Sequence, residues 1–137
     1  MKLQTFIATG AFILFCAFAL KKETTDQSLY GTKWSLKKIY TDSVTEEVLT
    51  KAFIKFNQEK KSAGGNGSCN TFGSNLSVSG DEMSITNIFS TKMYCEGVQQ
   101  TEDAFFTQLA KVNRFEIKDK ALLLYHDKDL LLEFESE

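Results

Sequence analysis

The sequence predicts an α+β domain built on an antiparallel sheet, with one helix late in the chain. Three observations carry this. Short segments alternate apolar and polar residues with the period of half-buried strands. Only "GVQQTEDAFFTQLAKVN" repeats its apolar residues at a helical period, with Val98, Phe105, Leu109 and Val112 on one stripe. The chain contains no proline, so its turns fall to Gly, Asn, Asp and Ser.

The elements follow in order. "KKETTDQS" is polar and aperiodic and reads as part of a tether over 20–28, leaving a domain over 29–137. "TKWSLKKIY" sets Trp34 and Leu36 against Lys33, Ser35 and Lys37, a half-buried strand. "TDSVTEEVLT" fits a helical turn through Val44, Val48 and Leu49, or a hairpin excursion, equally well. "AFIKFN" places Ala52, Ile54 and Phe56 on one face, and "QEKK" reads as the turn after it. In "NLSVSGDEMSITNIF" a Gly80-Asp81 turn separates Leu76 and Val78 from Met83, Ile85 and Ile88, which signals a hairpin. The helix is expected near 98–112, with Glu102 and Gln108 off its apolar stripe and Asn113 as a left-handed stop. "RFEIK", "ALLLYH" and "LLLEFE" close the chain as three short strands.

The first residues belong to export, not to the fold. In "MKLQTFIATGAFILFCAFAL", Lys2 precedes an apolar run from Phe6 to Leu20, broken only by Thr9 and Gly10. That run is shorter than the roughly 20 residues of a spanning helix. Ala17-Phe18-Ala19 matches the small-x-small pattern of signal cleavage, so residues 1–19 read as a signal peptide. An uncleaved membrane anchor is the alternative. Cys16 is a candidate lipidation site, although Phe15 precedes it where that processing takes a small residue. Both routes predict an exported protein, periplasmic or membrane-anchored in the cell envelope. Both also leave Cys69 and Cys95 as a pair in a compartment that permits a disulfide, which is the expected outcome.

Composition narrows the function. A net charge of −2 and a single arginine, Arg114, leave no basic surface for nucleic acid. The glycine-rich "SAGGNGSCNTFGSNL" lacks the lysine and the following helix of a phosphate loop. A nucleophilic Cys69 would need a base, and the only histidine, His126, lies in a strand turn. Cys69, Cys95 and His126 are too widely spaced for a paired metal-ligand motif, and the acidic residues are scattered. The stretch reads instead as a pinned turn. Gly64, Gly65 and Gly67 allow close backbone approach or a bulge, and Asn66 and Asn70 tolerate positive φ. Ser68 and Thr91 offer hydroxyls to turn backbone. The expectation is a monomer without catalytic residues, metal or cofactor.

At these residues a family resemblance appears. Trp34 lies in a first strand, followed by "FIKF", "GGNGSCNTFGSNLSVSGDEMSI", "STKMYC", a helix with "EDAFFTQL" and "LLLYHDKDLLLEF". This order resembles the META domain, or HslJ-like, family of bacterial envelope proteins and lipoproteins. The motif residues are Trp34, Asn66, Gly67, Cys69, Asn70, Phe72, Gly73, Thr91, Met93 and Cys95, with Ser68 standing where the family usually has glycine. The resemblance implies a strongly bent antiparallel sheet, partly open and barrel-like, of about six to eight short strands packed with the helix. It implies no enzymatic activity, and a role in stress or antibiotic tolerance through another envelope protein. The alternative is a binding module for a small apolar ligand, or for a protease or peptide partner. Phe72, Phe89 and Tyr94 are the candidates to line an open cleft.

Overall fold

The alternation around Trp34 builds the first strand, β1 (Trp34–Tyr40), with Trp34, Leu36 and Ile39 buried and Lys37 exposed. The computed structural model describes residues 28–41, 45–47 and 50–137. After β1 come β2 (Thr45–Glu47), β3 (Phe53–Asn57), β4 (Ser62–Asn66), β5 (Thr71–Ser79) and β6 (Glu82–Ser90). Helix α1 (Gln99–Leu109) then leads to β7 (Arg114–Lys118), β8 (Ala121–His126) and β9 (Asp129–Ser136). The expected signal peptide, Cys16 and tether residues 20–27 lie outside the described residues.

Two strands go beyond those the alternation indicates. β2 settles the ambiguous "TDSVTEEVLT" as an excursion that pairs with β1. β4 is "SAGGN", the first part of the stretch read as a turn, and the turn itself is confined to Gly67–Asn70. Gly64 and Gly65 carry no side chain, so they show no alternation, yet they suit a crowded central strand. A Cβ on Gly65 would sit 2.1 Å from the Phe53 carbonyl oxygen, and one on Gly64 2.8 Å from that of Phe72.

The strands form a bent antiparallel sheet in the order β2-β1-β3-β4-β5-β6-β7-β8-β9, and β9 returns to pair with β1. It is not a clean barrel. β6 and β7 share one register pair, Glu82↔Arg114. Past it, β7 runs on beyond the Gly80–Asp81 turn, with the Phe115 N–H donating to the Asp81 carbonyl at 2.9 Å.

Helix α1 is shorter than its apolar stripe. Lys111 and Val112 donate to the carbonyls of Gln108 and Leu109, so the helix ends by tightening into i→i+3 turns. Asn113 is therefore not a left-handed stop. It continues toward β7, its carbonyl accepting the Met83 N–H at 3.1 Å. Phe105, fully buried, lies 5.6 Å from the Phe72 ring and 6.1 Å from the Phe134 ring. Glu102 and Gln108, expected off the apolar stripe, are both buried. At 3.6 residues per turn, Glu102 falls three places before Phe105 and seven before Leu109, on the same face.

Candidate functional site

The β4–β5 turn is built by local chemistry. The Gly67 N–H donates to the Asn70 carbonyl at 2.8 Å, and the Asn66 side-chain oxygen accepts the Ser68 N–H at 2.8 Å. The second bond is the Asx turn that asparagine favours. Positive φ falls on neither asparagine but on Ser68, at +102°. Glycine suits such a place, because a Cβ is strained in this region. Ser68 keeps a partner through its hydroxyl, which hydrogen-bonds the Thr50 hydroxyl. Ser68→Gly is accordingly expected to stabilise the protein by about 1 kcal/mol after loss of that bond. A thermal melt that moved down would contradict the strain assignment.

Gly67 sets how closely the helix can approach. A Cβ there would lie 2.7 Å from both Glu102 Oε2 and Phe106 Cζ. Without one, the Glu102 carboxyl reaches the turn backbone. Its Oε2 accepts the N–H groups of Cys69 (2.9 Å) and Asn70 (2.7 Å), and its Oε1 accepts Asn70 Nδ2 at 2.5 Å. Glu102 is 1% exposed, so these bonds are shielded from water.

Asn70 passes the connection on to the segment after β6. Its Nδ2 also donates to the Met93 carbonyl (3.0 Å), and its Oδ1 accepts the Met93 N–H and the Thr91 hydroxyl, both at 2.8 Å. Asn70 thus does not fold back on its own turn, and Thr91 and Ser68 spend their hydroxyls on side chains rather than on turn backbone. The expected disulfide joins Cys69 to Cys95 with their Cα atoms 5.8 Å apart. Closing a loop of 26 residues' separation stabilises by about 3.5 kcal/mol in the chain-entropy model. The segment from Thr91 to Cys95 is held by this bond, by Asn70, and by the Thr91 N–H on the Thr71 carbonyl at 3.1 Å.

This frame carries apolar side chains into solvent. Phe89 is 70% exposed, Tyr94 78% and Met93 58%. Phe89 pairs across the ladder with Gly73 and lies over it, where a Cβ would come within 2.6 Å of the ring. Phe72 points the other way and is buried between Phe105 and Phe106. A cleft of about 310 Å³ runs beside Met93 and Tyr94, bordered also by Thr91, Lys92, Gln99, Asp103 and Phe106; of the three expected lining residues it includes Tyr94, and neither Phe72 nor Phe89. Trp34 is remote from it, a core residue whose Nε1 donates to the Leu29 carbonyl at 3.1 Å.

The chemistry open to the frame is binding and bracing. Both sulfurs are bonded to each other, and each Glu102 oxygen already accepts hydrogen bonds from the turn. His126 is exposed elsewhere, with Nδ1 2.8 Å from the Lys111 carbonyl oxygen. Among the described residues no group of three or more His, Cys, Asp or Glu side chains could hold a metal ion. The shifted titrations lie outside the frame. Burial, and then the Glu133 hydrogen bond, raise Tyr40; burial and the Glu116 charge raise Tyr125; hydrogen bonds from Lys33 and Ser35 lower Glu137.

No curated protein matches the chain. Among solved structures, it is similar to a protein from Burkholderia xenovorans determined by NMR, at 19% identity and a TM-score of 0.66, covering 80% of this chain and 83% of that one. It is also similar to a DUF4847 family protein from Bacteroides vulgatus, at 14% identity and a TM-score of 0.57, covering 78% and 93% of the two chains. At such identities these likenesses concern the fold alone. The family model for the META domain matches residues 27–137, which take in the whole sheet, the helix and the Asn70–Glu102 frame. The chain belongs to the META domain family.

Proposed function

We propose that this chain is a non-catalytic, exported domain of the cell envelope that works by contact with another envelope protein, in support of stress or antibiotic tolerance. Its partly open, barrel-like sheet serves as the scaffold. The observation that carries the reading is the exposure of Phe89 near the end of β6 and of Met93 and Tyr94 on the segment held by the disulfide and by Asn70. Large side chains exposed together on a rigid frame are typical contact anchors. The disulfide favours an oxidising compartment. A small apolar ligand within the sheet is less favoured, because Trp34, Phe105, Phe134 and the core leucines fill that space.

The test is complementation of a deletion strain by the full chain carrying both Phe89→Ser and Tyr94→Ser. Both residues are exposed, so stability should change by less than about 1 kcal/mol, while the tolerance phenotype is lost. His126→Ala should complement fully. Full complementation by the double variant, or loss of phenotype in a stable His126→Ala protein, would overturn the reading.

A further inference from the structure

The departure of β7 leaves one side of β6 unpaired. From Ser84 to Ser90, among the described residues, the β6 backbone hydrogen-bonds to β5 alone. An exposed strand edge is a row of unmet N–H and C=O groups, and proteins usually guard it with lysine, proline or inward-pointing charge. The segment Ser84-Ile85-Thr86-Asn87-Ile88-Phe89-Ser90 contains none of these. A bulge is a further guard, and one interrupts the segment at Asn87, with φ at +51°, where the register shifts between the pairs Asn75↔Thr86 and Gly73↔Phe89; the ladder is regular on either side of it. Ser84, Thr86, Asn87 and Phe89 are exposed and Ile88 is half-buried.

We propose that β6 accepts an extended strand from a partner protein along Ser84–Ser90, adding it to the sheet. This rests on the contact reading above and names its mode. The occupant is an uncharged, extended segment. Its backbone meets the open ladder, one set of alternate side chains packs toward Ile88, and the other packs over Phe89. A second copy of this chain fits poorly. Two-fold pairing over this segment would set both Asn87 irregularities on the axis, whereas a peptide meets one.

The experiment pans a phage-displayed random peptide library on the mature, disulfide-intact protein, and follows amide hydrogen exchange with a synthetic copy of the selected peptide. Exchange within Ser84–Ser90 should slow at least tenfold. Thr86→Lys and, separately, Ser84→Lys should each weaken binding about tenfold with the melting temperature unchanged. The second variant decides the matter if the first is destabilised. Protection confined to Met93–Gln99 would overturn strand addition while leaving the contact reading standing. Failure to select any peptide, or equal binding by both lysine variants, would also overturn it. A dimer in sedimentation that Thr86→Lys dissolves would overturn the choice of occupant.

Discussion

Replacing Glu102 with alanine is expected to lower the stability of the protein by about 3–5 kcal/mol. The change removes the acceptor of the Cys69 N–H, the Asn70 N–H and one Asn70 Nδ2 bond at a site that is almost fully buried. Each orphaned donor costs about 1–3 kcal/mol, and water entering the space left by the side chain offsets part of the sum. Urea unfolding measures it, as a fall in the midpoint at an unchanged slope. Glu102→Gln keeps the shape and one acceptor, and should cost less, about 1–3 kcal/mol. A loss below 0.5 kcal/mol for alanine would mean that the turn finds its partners elsewhere.

Phe105→Ala should cost about 3–5 kcal/mol, the range for truncating a buried aromatic. The ring is fully buried and contacts Phe72, Phe106 and Phe134 edge-on or tilted, so its loss leaves a cavity where the helix meets the sheet. A near-neutral result in the same urea experiment would place this face of α1 on the surface, free to meet a partner. Because Phe105 and Glu102 lie three residues apart on one face, their combined loss is not expected to be additive.

Much of this fold is legible in the sequence wherever side chains report burial. Trp34, Leu36, Ile54, Phe56, Leu76, Met83 and Ile85 all point inward as their alternation indicates. β4 was hidden because glycine has no side chain with which to alternate, and its strand character rests on pairing with β3 and β5. The helix ends before its apolar stripe does, because Val112 is buried from the turn that follows and so extends the periodicity past Leu109.

The candidate site divides in the same way. Cys69, Cys95, Asn70, Thr91 and Met93 stood out as motif residues, and the structure brings them together. Glu102 did not, because a carboxyl on a helix is ordinarily taken for a solvated face. Its signal was present nonetheless, since wheel arithmetic sets it beside Phe105 and Leu109. That Gly67 must be glycine follows only from the approach of Glu102 and Phe106, which no local pattern in the turn records. Of the three aromatic residues that are candidates to line a cleft, Phe89 and Tyr94 are exposed and Phe72 is buried, a split that residue type does not reveal because single apolar residues are usually packed inside.

Asn70 and Glu102 act as one buried unit that ties the β4–β5 turn to helix α1 and to the segment after β6. A double-mutant cycle on Asn70→Ala and Glu102→Ala tests it most directly, with unfolding free energies measured for the wild type, both single variants and the pair. Two side chains joined in one buried network should show a coupling of about 1–3 kcal/mol. Additivity within about 0.5 kcal/mol would contradict the claim.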